Sequence, residues 1–191
     1  VGGSLTEAVR HKALSIPSTL TYTVDRYLGR CVTNSSQTSN AVDLGGGIRT
    51  ADWTAVFVGS FVDYPGPGYN SFFKPQGGGW GLKFMNCGNG VFVFSMVIPG
   101  VAVYITDIPV VSGAPYAVAF AATNGGTLQV VSRRLDTGQI QVSTPIAFGS
   151  PSTQSGNGYL LSEESAGYGA GAGSKLSVAA ILPRRLSVNE A

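Results

Sequence analysis

The chain has 191 residues, the length of one large domain, with 43% hydrophobic and only 12% charged residues and a net charge of +2. So small and scattered a basic excess lacks the positive stripe that marks a nucleic-acid partner, and Arg133-Arg134 and Arg184-Arg185 read as solvated edge charge. No apolar run approaches the roughly 18 residues of a membrane helix, so no membrane insertion is expected, and the N-terminal VGGSLTEAVRHK has no apolar core of the kind a secretion signal carries.

In chain order, SLTEAVRHKAL at 4–14 is the one interior stretch with a helical spacing, with Leu5, Ala8, Val9 and Leu14 roughly periodic. Periodicity then predicts β-structure almost everywhere. TLTYTV at 19–24 alternates, with Leu20, Tyr22 and Val24 on one face and threonines on the other. WTAVFVGSFV at 53–62, VFVFSMVI at 91–98, VAVYITDI at 101–108 and APYAVAFAA at 114–122 are nearly continuous apolar runs, the pattern of buried sandwich strands. LQVVSRRL at 128–135, QIQVSTPIAFG at 139–149, GYLLSE at 158–163 and KLSVAAILP at 175–183 continue the series. Asn-Gly pairs in NCGNG at 86–90 and TNGG at 123–126, with DTG at 136–138, supply tight turns. The expected core includes Val56, Phe57, Val58, Phe92, Phe94, Val103, Tyr116, Val118, Phe120, Val130, Val178 and Ile181.

Two long connections stand out: YPGPGYNSFFKPQGGGW at 64–80, rich in Gly, Pro and aromatics, and the polar GSPSTQSGNG at 149–158. SAGYGAGAGS at 165–174 reads either as a flexible connection or as backbone packed close to backbone. At the end of the sequence Ser187 precedes Glu190 by three residues, the spacing of a capping box that opens a helix. The whole predicts an all-β, two-sheet antiparallel jelly-roll sandwich with at most short helices near the termini. Residues 1–39 form an N-terminal arm and first strands, and 40–191 the jelly roll, in one continuous domain.

The chemistry-bearing side chains are few. Cys31 and Cys87 lie far apart and read as two buried free thiols, though one bridge between them is possible. Two cysteines and His11, the single histidine, make no zinc site. Asp63 and Asp107 are conceivable calcium ligands, but no Asp-rich loop supports them, so no metal and no cofactor is expected. Acid–base hydrolysis of a glycoside needs two facing carboxylates. Here Asp25, Asp43, Asp52, Asp63, Asp107 and Asp136 are isolated, and Glu163 and Glu164, being adjacent, would face opposite sides of a strand. The sequence therefore points away from an enzyme. Sugar binding needs rings for C–H faces and polar groups for hydroxyls. Asp63, Tyr64, Tyr69, Asn70 and Trp80 gather both in the 64–80 segment, while Phe72 and Phe73 there are better read as cover for the core edge.

From residue 114 onward the sequence resembles the second half of a laminin-G-like jelly roll of the concanavalin A-like superfamily. Tyr116 to Thr123, Thr127 to Arg133 and Pro145 to Gly149 follow its strand patterns, and Arg185, Leu186, Ser187 and Glu190 follow its closing signature. The resemblance extends over about 40–191 and implies a closing motif that caps a short helix. Plain domains of this type resemble those of phage virion proteins. The resemblance therefore implies a non-catalytic virion structural protein: a capsid decoration, head fibre or tail component, forming a homo-oligomer. Its partners would be other virion proteins, copies of itself or cell-surface glycans. The alternative expectation is a lectin-like carbohydrate-binding module of a secreted or cell-surface protein, located outside the cell.

Overall fold

The computed structural model describes residues 4–6, 13–15, 18–35, 41–43, 51–62, 69–75, 81–86, 92–98, 102–149, 157–161 and 170–191; at 4–6, 13–15, 41–43, 69–75, 81–86, 97–98, 102–105 and 157–159 it describes the backbone alone. The described residues contain sixteen strands and no helix: β1 (Ser4–Thr6), β2 (Ala13–Ser15), β3 (Leu20–Asp25), β4 (Gly29–Asn34), β5 (Ala41–Asp43), β6 (Asp52–Ser60), β7 (Tyr69–Pro75), β8 (Gly81–Asn86), β9 (Phe92–Ile98), β10 (Ala102–Val110), β11 (Pro115–Thr123), β12 (Thr127–Arg134), β13 (Ile140–Val142), β14 (Ile146–Ala147), β15 (Asn157–Leu160) and β16 (Lys175–Leu182).

Every pairing is antiparallel. An eight-stranded sheet runs β13-β12-β11-β6-β16-β4-β3, with β14 also on β12, and a six-stranded sheet runs β10-β9-β8-β7-β15-β5. Consecutive strands switch sheets on either side of β5, between β6 and β7, between β10 and β11, and on either side of β15, as a jelly roll requires. The expected helix at 4–14 is not formed. β1 and β2 instead make a separate two-stranded ladder, with Leu5 opposite Leu14. The spacing that suggested one helical face is shared between two paired strand segments.

The inner faces of both sheets form one core. Trp53, Ala55 and Phe57 alternate inward along β6, and Tyr116, Val118, Phe120 and Ala122 do so along β11. From the other sheet come Phe92, Phe94, Met96, Ile108, Val110 and Leu160. Phe94 lies edge-on to Tyr116 at 5.5 Å and 89°, and to Phe120 at 6.2 Å and 86°. Such edge-to-face pairs add about 0.5–1.5 kcal/mol beyond the area they bury. The Tyr116 hydroxyl accepts the Val111 N–H at 3.0 Å, so the ring's polar end is satisfied where the chain crosses between sheets.

Of the expected core, Phe57, Phe92, Phe94, Tyr116, Val118, Phe120 and Val130 are buried and Ile181 packs against it; Val103 has no described side chain. Val56 and Val58 lie on the outward parity of β6 and are only half-buried. Val178 is 42% exposed. The cause is an irregularity in β16: Leu176 pairs with Gly59, but Val178 already pairs with Val58, so Ser177 is an extra residue. Leu176 and Ile181 therefore meet the core, Ala179 shares their parity but is exposed, and Val178 points out.

The small-residue segment at 165–174 is described from Ala170 onward, and there it packs backbone to backbone. Asn34 Nδ2 donates to the Ala170 carbonyl at 2.8 Å, and the Ser174 hydroxyl donates to Gly171 O while accepting the Val62 N–H. The 123–126 turn uses Gly125 at φ 71°, a conformation that costs a residue with a Cβ about 1 kcal/mol or more.

Gly59 sits beside the β16 irregularity, and a Cβ there would lie 2.5 Å from the Lys175 carbonyl oxygen and 3.0 Å from the Phe61 ring. The oxygen is backbone and cannot swing away. Gly59→Ala should therefore lower stability by about 1–3 kcal/mol in denaturant unfolding, whereas Gly113→Ala, which meets no atom within 4 Å, should cost only its positive-φ strain. Equal effects of the two would contradict the packing described.

Candidate functional site

Of the residues that the sequence singled out, Asp63, Tyr64 and Trp80 lie outside the described residues, as do His11, Cys87, Glu163 and Glu164. Tyr69 and Asn70 open β7, whose backbone is described. The 64–80 segment is thus not one long loop. Tyr69–Pro75 is an interior strand of the six-stranded sheet, laddered to β8 on one side and β15 on the other. The Gly and Pro residues flanking it made it read as a connection, but SFFK between them is a short strand. An irregularity between Ser71 and Phe73 interrupts its register with β8. Asn70 pairs with Phe84 and so shares a row with core-facing Phe94; Tyr69 pairs with Met85 and shares a row with Val93.

The described carboxylates are each engaged locally. Asp25 accepts Lys175 Nζ at 2.7 Å and the N–H groups of Tyr27 and Leu28, with the lysine bond the largest cause of its lowered pKa. Asp136 is held below the usual carboxylate range by Arg134, which donates from Nε at 2.7 Å and from Nη2 at 2.9 Å. Asp107 accepts the Thr144 hydroxyl at 2.8 Å and is lowered by that bond first. Among the described residues there is no group of three or more His, Cys, Asp or Glu side chains able to hold a metal ion, and no helix long and apolar enough to cross a membrane. Cys31 is a free thiol, and burial pushes its pKa up, which makes it a poor nucleophile.

The closing signature does its work on the outer face of the eight-stranded sheet. Thr54, fully buried on β6, donates its hydroxyl to Arg184 O at 2.9 Å and accepts the Leu186 N–H at 2.8 Å. Arg185 Nη1 donates to the Thr127 hydroxyl at 2.8 Å and the Thr123 hydroxyl at 3.1 Å, and Thr123 donates to Asp52 at 2.6 Å. The segment after β16 is thereby clamped across the ends of β6, β11 and β12. The capping box forms only in part. Glu190 Oε2 accepts the Ser187 N–H at 3.0 Å, but the Ser187 hydroxyl donates to that same carboxylate instead of accepting an N–H. The described residues 188–190 make a turn, not the expected capped helix.

Beyond the clamp, the same outer face is apolar. One row across five strands reads Val142, Val131, Ala119, Val56, Ala180; the next reads Ile140, Arg133, Ala117, Val58, Val178. At its edges Val142 is 43% and Ile140 62% exposed, whereas Val131 and Ala119 in the middle of the first row are buried, at 8% and 3%. An antiparallel sheet with one face on the core ordinarily turns polar side chains to water on the other. Here nine of ten positions in the two rows are apolar, with Arg133 the exception. Sequence reading missed this surface, although the continuous apolar runs at 53–62 and 114–122 carried the signal of strands covered on both faces.

No protein-family model matches the chain, and no curated protein matches it. Solved structures do. The enzymatically active domain of tailspike protein 2 from bacteriophage CBA120 superposes with a TM-score of 0.67 at 14% identity, over 92% of this chain and 29% of that one. The binding domain of botulinum neurotoxin serotype G gives 0.60 at 9% identity, over 93% of this chain and 44% of that one. The heptameric pentraxin of Limulus polyphemus gives 0.56 at 9%, over 88% and 77%. The chain thus spans less than a third of the tailspike domain it matches. At these identities the likeness is one of fold: a jelly-roll β-sandwich.

The clamp predicts a pH signature. The Ser187 N–H first, then Arg184 and the Ser187 hydroxyl, lower the Glu190 pKa from 4.5 to about 2. A lowered acid contributes stability that is full above its unfolded pKa and is lost as pH falls through the folded one. The turn should therefore hold above about pH 4.5 and loosen towards pH 2. NMR titration of the Glu190 carboxyl should give a midpoint near 2, and Arg184→Ala should raise it while leaving it below 4.5. An unshifted midpoint in the parent would mean that the turn is open in solution.

Proposed function

We propose that this protein is a non-catalytic structural component of a bacteriophage virion, a capsid decoration, head fibre or tail part. It works through contacts with copies of itself, other virion proteins or cell-surface glycans. The observation that carries the reading is the apolar outer face of the eight-stranded sheet, set beside carboxylates that, among the described residues, are each spent on hydrogen bonds within the chain. Such a surface is suited to packing and not to chemistry. The likeness to a phage tailspike supports a virion setting. That tailspike domain is enzymatically active, but this chain spans 29% of it, and the isolated carboxylates of the sequence support the non-catalytic reading.

The second reading, a lectin-like module outside the cell, draws on the neurotoxin binding domain and the pentraxin, together with the aromatic-rich sequence around Tyr64, Tyr69 and Trp80. Sedimentation of the purified protein beside a glycan array separates the two. A stable oligomer with a silent array is the expected result. A monomer that retains defined glycans, and loses them when Tyr64, Tyr69 and Trp80 are replaced by Ala, would overturn the structural reading in favour of the lectin.

A further inference from the structure

At the end of the eight-stranded sheet away from β13, the β3–β4 hairpin carries charge that the fold does not use. Arg26 and Arg30 are exposed, and each lies over a tyrosine ring: Arg26 is 4.5 Å from the Tyr27 centroid and Arg30 is 4.6 Å from the Tyr22 centroid. Among the described residues neither has a carboxylate partner, whereas Arg134, Lys175 and Arg184 each hold one. β3 is also the terminal strand of its sheet, with β4 on one side and no described strand on the other. We infer that the open edge of β3 and these two arginines form a docking site for an extended acidic segment of a partner protein, which adds to the sheet as a further strand.

The hairpin holds the arginines in place. Asp25 accepts the N–H groups of Tyr27 and Leu28, Gly29 takes φ 66° at the turn, and Lys175 ties Asp25 to β16 at 2.7 Å. A guanidinium stacked on a ring keeps its N–H donors in plane and free, ready to take a carboxylate through two parallel bonds. Fewer rotamers then remain to be ordered on binding. Tyr22, Val24 and Arg30 share one face, since Tyr22 pairs with Val32 and Val24 with Arg30. Arg30 thus reaches from β4 to a ring of the edge strand, and an added strand would run about 4.8 Å beyond that strand. Val24, 81% exposed, is an apolar contact for one of the alternate side chains of the incoming strand.

Charge decides the occupant. Asp25 has the opposite parity to Val24 and is taken by Lys175, so it leaves both guanidiniums unmatched. A second copy cannot match them with its described side chains, because Asp25, Asp52, Asp107, Asp136 and Glu190 each already accept a donor of their own chain. Two arginines make no stripe of the kind a nucleic acid needs. The open backbone edge favours a polypeptide over an acidic polysaccharide, because a polypeptide returns the alternating N–H and C=O groups of a ladder. The inference stands on this hairpin alone and does not depend on a virion setting.

The probe is a peptide of about eight residues alternating Asp and Val, blocked at both ends and titrated into the isotope-labelled full chain. The amides of Thr21 to Asp25 should shift in the NMR spectrum and exchange more slowly with solvent. The same peptide with Asn in place of Asp should bind at least about tenfold more weakly, and Arg26→Gln with Arg30→Gln should lose as much. A version with Pro in place of Val, which cannot donate along the edge, should not bind. Both arginines are exposed, and circular dichroism confirms that the double variant is folded. If the arginines only guard the edge against pairing, as edge charges often do, the double variant would self-associate and the parent would take the Asp and Asn peptides alike. That result would overturn the inference. So would a Pro peptide that binds as well as the Val one, shifts confined to other strands, or no saturable shift up to about 1 mM peptide. Binding of a sulfated polysaccharide at the two arginines with none of the peptide would overturn it as well.

Discussion

Phe94 is the contact on which the arrangement depends. It projects from the six-stranded sheet and meets Tyr116 and Phe120 of the eight-stranded sheet edge-on. Three large rings at van der Waals distance fix the spacing of the two sheets and the parity of β11. With Tyr116, Val118 and Phe120 inward, Ala117, Ala119 and Ala121 must face outward, because strand side chains alternate with period two. A slip of one residue would bury the alanines and expose the rings, a loss of several kcal/mol for each aromatic displaced. The aromatic wedge thus determines the outer surface as firmly as the core.

From that parity the remaining surface follows through the ladders. β6 pairs with β11 without interruption from Asp52 to Ser60, so Trp53, Ala55 and Phe57 go in and Val56 and Val58 go out. β12 pairs without interruption on the other side and places Val131 outward. Within the described part of this sheet only β16 changes parity, at Ser177, and by doing so it adds Val178 to the outer face in place of Ser177. The clamp after β16 then covers one end of that face with hydrogen bonds to Thr54, Thr123 and Thr127, while Val142, Ile140 and Val178 at the margins of the apolar rows stay exposed. Sequence, core packing and the surface available to a partner are one chain of causes.

How much of this could be read beforehand depends on where the information lay. β6, β9, β10, β11, β12 and β16 were legible because their β-branched and aromatic runs end at Gly, Pro or Asn. β7 was not, since Gly and Pro crowd both sides of a short strand that only its neighbours stabilise. β4, with Arg30, Cys31 and Asn34 in six residues, carries no periodic signal and is held by pairing to β3 and β16. Val178 was misplaced because an irregularity in register leaves no mark in local composition. Of the candidate site, only Tyr69 and Asn70 fall on described backbone, while the apolar outer face emerged only when five strands were set in register. The runs had already shown that both faces of β6 and β11 were apolar; which residues lay on which face was a question of pairing.

The central claim is that the aromatic contact between the two sheets fixes which residues of the eight-stranded sheet face the core. NOE measurements on methyl-labelled protein test this most directly. The account predicts contacts from the Phe94 ring to the rings of Tyr116 and Phe120, and none from it to the methyl groups of Ala117 or Ala119. Contacts from Phe94 to those alanines would contradict it.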